Sequence, residues 1–218
     1  MKRLLRNTLL LGVAAISLKG CIFSPKVGEP PPTGGVYSAP TAPESLVANL
    51  QVSYRRREII EYAKILAPEF IFKFQPVDAA TIEKEFWTRD EDSTGTGKLF
   101  HATEVTAIRI DLLHGDVEPA NELNMPPGAM KIRIIQTDLQ VDAGDITYMV
   151  TDQQDMFFRR GLVDAGEDTT RWFLFEWRDL PKLAAPGLVP QSLSTATSSP
   201  QTLESSWGGL VQDVSKTD

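Results

Sequence analysis

Apolar residues recur at helical spacing early in the chain and alternate with polar ones later. Leu46, Val47, Leu50 and Tyr54 fall on one stripe, and Thr41-Ala42-Pro43-Glu44 ahead of them has the form of a capping box with proline in the first turn. Ile59, Tyr62, Ala63 and Leu66 repeat the spacing, and Pro68 marks its end. Arg55-Arg56-Arg57 lies between the two stripes, which leaves open one bent helix or two short ones. Phe70, Phe72 and Phe74 alternate with other residues at the period of a half-buried strand, stopped by Pro76. Thr88-Arg89-Asp90-Glu91 is a second capping box with Trp87 in the staple position, and Gly95 and Gly97 predict that its helix is short. Four runs, 104–113, 131–141, 146–160 and 170–178, read as strands, with turns over 141–146 and 161–168. Within the third, Ile146, Tyr148, Val150, Met156 and Phe158 share a face with Asp152 and Gln154, and polar positions there mark a cavity wall or a twist point. Helices first and hairpin-linked strands afterwards define an α+β domain, one curved antiparallel sheet packed on N-terminal helices.

The two ends of the chain differ from this middle. Met1-Lys2-Arg3-Leu4-Leu5-Arg6 is basic and Thr8 to Leu18 is apolar, too short a run for a membrane-spanning helix but suited to an export signal over residues 1–20. Leu18-Lys19-Gly20-Cys21 resembles the lipobox of bacterial lipoproteins, with Lys19 its one departure, and so Cys21 is the expected lipidation site. The alternative is a lone thiol after ordinary signal cleavage. As the only cysteine, Cys21 excludes an internal disulfide. Residues 21–42 hold five prolines and three glycines, a composition expected to act as an extended tether. Residues 43–181 carry the periodic pattern and form the expected domain. In 182–218, Ser, Thr, Pro and Gly fill 17 of 37 positions, which reads as a low-complexity, disordered tail; a short helix over 203–214, packed on the domain or a partner, is the alternative. The net charge of −7 becomes −11 once the four leader bases are removed, 18 bases remaining against 29 acids, and such a surface repels nucleic acid.

Several phrases together resemble the nuclear transport factor 2-like (NTF2-like) superfamily as it occurs in small bacterial lipoproteins: Ala42-Pro43-Glu44-Ser45-Leu46, Tyr54-Arg55-Arg56-Arg57, Ala67-Pro68-Glu69-Phe70-Ile71-Phe72, Phe86-Trp87-Thr88-Arg89-Asp90-Glu91 and Trp172-Phe173-Leu174-Phe175-Glu176-Trp177. The resemblance implies a cone-shaped domain whose sheet and helices enclose a pocket. Superfamily members include isomerases, dehydratases, ligand binders and interaction modules, so fold analogy alone selects none of them. For residues 21 onward it implies a lipid-anchored protein of the cell envelope, sorted to the outer membrane where the source has two membranes, because Ile22 and not aspartate follows the cysteine.

Candidate chemistry is sparse. The mid-strand acids Asp138 and Asp152 are the catalytic candidates, since a buried carboxylate can serve as a general base; a solvent-facing position is the plainer reading of both. Tyr62, Trp87 and Gln154 are the expected pocket-lining residues. His101 and His114 fall at a helix end and a strand end and read as loop residues. Asp90, Glu91 and Asp92 read as acids complementing a helix N-terminus, and no metal or cofactor motif is present. The function expected is non-enzymatic, binding a small apolar ligand or a protein partner at the envelope. The alternatives are an isomerase, dehydratase or hydrolase using a pocket carboxylate, and a structural homodimer.

Overall fold

The computed structural model describes residues 36–180 and 201–215. The export signal, Cys21 and the tether up to residue 35 lie outside the described residues, as do 181–200 and 216–218. The element order is α1 (Pro43–Arg56), α2 (Ile59–Ala63), β1 (Leu66–Lys73), α3 (Pro76–Ile82), β2 (Phe86–Thr88), α4 (Arg89–His101), β3 (Val105–Pro119), β4 (Met130–Ala143), β5 (Ile146–Val150), β6 (Gln154–Arg160), β7 (Trp172–Asp179), β8 (Gln201–Glu204) and α5 (Trp207–Ser215). The expected α+β class is what the structure has: N-terminal helices packed against one curved, open sheet.

The long strand β4 organises that sheet. β3 pairs along one side of it, while β6 and β5 pair with successive halves of the other. The run expected as a single strand over 146–160 is therefore two strands, and the twist point predicted at Asp152 is where the chain leaves one and enters the next. Pairing is antiparallel through the centre, but β1 joins β7 in parallel and β8 joins β5 in parallel, so the whole sheet is mixed. β1 starts at Leu66 and contains Pro68, which the sequence suggested as a helix stop. A register shift between Leu66 and Ile71 accommodates the missing donor.

Side chains of α1 seal the outer edge of β3. Arg55 Nε donates to Ile110 O at 3.0 Å, Arg57 Nη2 to Val105 O at 2.6 Å, and Leu112 N to Gln51 Oε1 at 3.2 Å. The basic cluster thus works as an edge cover, protecting carbonyls that would otherwise invite another strand. Arg57 adopts φ 56°, which ends α1 and makes two helices of the stretch that sequence left open. The first expected capping box does not form, since Ala42 occupies the cap position. The second does: Thr88 N–H and Oγ1–H both donate to Glu91 Oε2 at 3.0 Å.

Two expectations need correction. α4 runs through Gly95 and Gly97 to His101, because its inward positions Asp92, Thr96, Leu99 and Phe100 are held by packing that outweighs weak propensity. The described end of the tail is ordered as β8 and α5, with Ser206 capping the helix through Gly209 N–H to Oγ at 3.0 Å. Gly208 of α5 and Gly95 of α4 are what let the helix approach its neighbours. A Cβ on Gly208 would lie 2.4 Å from the Phe74 ring, and one on Gly95 2.7 Å from Val211.

Candidate functional site

Three helices and the tail converge on one buried polar cluster. The α1 stripe ends in Tyr54, α2 contributes Tyr62, and α4 turns Asp92 and Thr96 inward at i, i+4 spacing. Tyr62 Oη donates to Asp92 Oδ2 at 2.6 Å. From the other side, Trp207 Nε1 donates to Tyr54 Oη at 3.1 Å. Aromatic rings surround these groups: Tyr54 lies edge-on 5.6 Å from Tyr62, 4.9 Å from Phe100 and 5.0 Å from Trp207 between centroids, and Trp177 of β7 lies tilted 4.5 Å from Trp207. Asp92 is 2% exposed and Trp207 1%.

Burial dominates the electrostatics of this cluster. Loss of hydration raises the Asp92 carboxyl to about 7, with the Tyr62 hydrogen bond opposing the shift. Burial, followed by the nearby Asp92 charge, lifts both phenols above their ordinary range. The result is a carboxyl that changes protonation near neutrality, in hydrogen-bond contact with a phenol and shielded from water.

The residues proposed from sequence are distributed as follows. Tyr62 belongs to this cluster. Trp87 packs on Phe72 and Phe74 and lines an open groove of about 340 Å³ with Asp90, Glu91, Thr94, Gly95 and Lys98. Gln154 is buried and accepts the Thr137 hydroxyl at 2.9 Å. Asp138 is exposed, because the alternation of β4 sends Thr137 and Leu139 inward and Asp138 out, and so it lines no interior. Asp152 is buried at the β5–β6 junction near Asp179, whose carboxyl is raised to about 8 by burial first and then by the charges of Asp152 and Asp78. His101 Nδ1 lies 2.6 Å from Gly97 O at the exposed end of α4, and His114 Nδ1 lies 2.8 Å from Gly115 O within β3. Among the described residues no group of three or more His, Cys, Asp or Glu side chains is placed to hold a metal ion.

Sequence reasoning passed over Asp92 and Trp207. The signal for Asp92 was its place on the stripe with Thr96, Leu99 and Phe100; it was read instead as one of three first-turn acids. Trp207 was visible as the lone aromatic of the tail, preceded by Ser206 as a cap.

No family model matches the chain, and no curated protein matches it. Similar solved structures include a conserved protein from Planctomyces limnophilus, at 9% identity over 63% of this chain and 91% of that one, TM-score 0.48. ActVI-ORFA from Streptomyces coelicolor is similar at 11% identity over 62% and 91%, TM-score 0.46. An NTF2-like protein from Cytophaga hutchinsonii is similar at 9% identity over 63% and 93%, TM-score 0.42. NTF2-like proteins thus stand among the structural neighbours, as the sequence resemblance implied. At identities near 10% and TM-scores below 0.5 these likenesses carry no activity over to this chain.

Proposed function

We propose that this chain is an exported protein of the bacterial envelope, lipid-anchored through Cys21, whose domain binds a small apolar ligand inside the cone. One observation carries the binding reading. The centre of the helix-covered interior is filled by Trp207, which comes from the tail and lies between the Tyr54 and Trp177 rings, its indole N–H donating to the Tyr54 hydroxyl. A space lined in that way, with a phenol as its polar anchor, suits an apolar molecule with one or two hydrogen-bonding atoms. The lipobox-like Leu18-Lys19-Gly20-Cys21 and the proline-rich stretch after it support the anchor, and Ile22 supports the outer membrane as destination where there are two.

The test is to express the full chain and its Cys21→Ser variant, fractionate the cells, and examine the purified protein by native mass spectrometry. The unaltered chain should sediment with membranes and carry a non-covalent small-molecule mass. The variant should be released while retaining that mass. Membrane association of the Cys21→Ser variant would remove the anchor, and a bare protein from every preparation would remove the ligand.

A second reading is favoured by the Tyr62–Asp92 pair, which has the burial and near-neutral titration of a general acid–base couple. It moves the catalytic assignment from Asp138 and Asp152 to Asp92. A homodimer finds less support on the outer face of β6 and β7. There Lys73, Glu176, Arg178, Glu122 and Lys131 form a run of ion pairs, and the Arg178 guanidinium lies 4.3 Å from the Phe157 ring centroid.

A further inference from the structure

We infer that the end of the domain at which residue 36 enters is a membrane-facing surface, and that Leu162 and Val163 at the tip of the β6–β7 hairpin, with Ile60 of α2, rest in the headgroup region of the phospholipid bilayer that holds the anchor. This rests on the lipid-anchored reading above and adds to it an orientation and a contact surface.

The geometry begins with how the chain enters. Before α1 starts, the segment after residue 36 is already tied to the domain. Tyr37 Oη donates to Glu58 Oε2 at 2.6 Å, Ser38 N and O pair with the Asn49 side-chain amide at 2.8 Å each, and Trp172 N donates to Pro40 O at 2.8 Å. These bonds fix the entry between the start of α2 and the start of β7. The same end of the sheet carries the start of β1, where Leu174 N donates to Ile65 O at 2.9 Å, and the β6–β7 hairpin, where Arg160 pairs with Trp172. Val36 follows Cys21 by fifteen positions, so a chain anchored at Cys21 keeps this end within about 50 Å of its lipid. At the effective concentration such a tether sets, a weak surface contact is enough to choose an orientation.

What this end presents is apolar at its tips and balanced in its charges. Val163 is 76% exposed, Ile60 71%, Val36 53% and Leu162 46%. The hairpin tip is braced from inside: Glu167 accepts from Arg159 and from Leu162 N, and Gly161 N donates to Arg171 O at 2.9 Å. Acids beside the apolar tips are engaged locally, Glu58 with Tyr37 and Arg56, Glu61 with Lys64, and Asp168 with the Thr170 N–H and hydroxyl, while Asp164 is exposed in the hairpin. Arg160 and Arg171 lie over the Trp172 and Phe173 rings, 4.8 and 5.4 Å from guanidinium carbon to ring centroid. A long cation laid along an aromatic ring suits the boundary between acyl chain and phosphate. After the leader, the chain carries 18 bases against 29 acids, so an anionic bilayer repels the rest of the surface more than it repels this end.

The experiment uses the lipidated full chain in vesicles of phosphatidylethanolamine and phosphatidylglycerol. With Cys21 blocked by its lipid, one cysteine at a time is introduced as Val163→Cys, Ile60→Cys or Val77→Cys and labelled with an environment-sensitive fluorophore. Val77, 65% exposed on α3 beyond the far end of β1, is the matched control. All three positions are exposed, so the substitutions leave the core untouched. The probes at Val163 and Ile60 are expected to shift to the blue and to be quenched by headgroup-labelled lipid about twofold or more as strongly as the probe at Val77. Adding Leu162→Ser and Val163→Ser should bring quenching at the Ile60 probe down towards the Val77 level. Equal quenching at the three sites, or the strongest at Val77, in a chain that floats with the vesicles would overturn the orientation and leave the anchor standing. A chain whose mass shows no lipid on Cys21 and that does not float would remove the anchor and the orientation with it.

Discussion

Asp92→Asn should make the protein more stable at pH 8, by up to about 4 kcal/mol, and leave it little changed at pH 4. Burial pushes the carboxyl up to about 7 in the folded chain from its ordinary 3.8, so the folded state holds the proton more tightly than the unfolded one. Its contribution is therefore greatest below the unfolded pKa and is lost as pH rises towards 7 and beyond. Asparagine keeps an acceptor for the Tyr62 hydroxyl and carries no charge to desolvate, so the variant avoids this loss. Asp179, raised to about 8, adds a second contribution of the same sign that persists in the variant. The acids Glu58, Glu91 and Glu167 are shifted down by hydrogen bonds, those to Tyr37, Lys84 and Arg159 being the largest, and work in the opposite sense below their ordinary range. The quantity to measure is thus the difference between variant and unaltered chain, from denaturant unfolding at pH 4, 6 and 8. A difference that is constant with pH, or that favours the unaltered chain at pH 8, would show that Asp92 titrates in its ordinary range. The same variant serves the enzyme reading, which requires that turnover be lost while ligand binding persists.

That Asp92 went unread shows where sequence patterning reaches its limit in this protein. Stripes with many apolar members declared themselves: Leu46, Leu50 and Tyr54 on α1, and the alternation of Phe70 and Phe72 on β1, are all buried as their spacing implies. The inward face of α4 is half polar, so the hydrophobic pattern is faint there and the first-turn acids look like a solvated helix start. Asp138 failed for the converse reason. Mid-strand position is legible, but the side of the sheet depends on register, and β4 alternates so that Thr137 and not Asp138 faces the core. Gly95, Gly97, Gly208 and Gly209 weaken local propensity, and only the packed structure reveals that Gly95 and Gly208 are the points where α4, α5 and β1 touch. Parallel pairing of β8 with β5 joins segments far apart in the chain, and nothing local announces it.

Trp207→Ala should destabilise the chain by about 3 kcal/mol or more, as expected for emptying a large buried aromatic site, and adding Gly208→Ala to it should change stability by less than about 0.5 kcal/mol. The second figure is the informative one. Alone, Gly208→Ala forces a methyl to 2.4 Å from the Phe74 ring, a clash that either the ring or α5 must move to relieve. If α5 leaves as a unit, either change removes the same docking free energy, and once the helix is off the second change has nothing left to disturb. If α5 were instead a permanent part of the core, the cavity and the clash would be local injuries, coupled only as far as contacting neighbours are, and exchange across α5 would stay slow. Chemical unfolding of the two single variants and the double variant, read together with amide exchange across 201–215, distinguishes these cases, since contacting residues already couple locally by about 0.5–3 kcal/mol and exchange reports whether the helix leaves as a unit. Strong non-additivity with fast exchange across α5 would mean that one helix, held by one indole and one glycine contact, closes the interior reversibly. Coupling no larger than that of local neighbours, with slow exchange, would make Trp207 ordinary core and close the cone to any ligand.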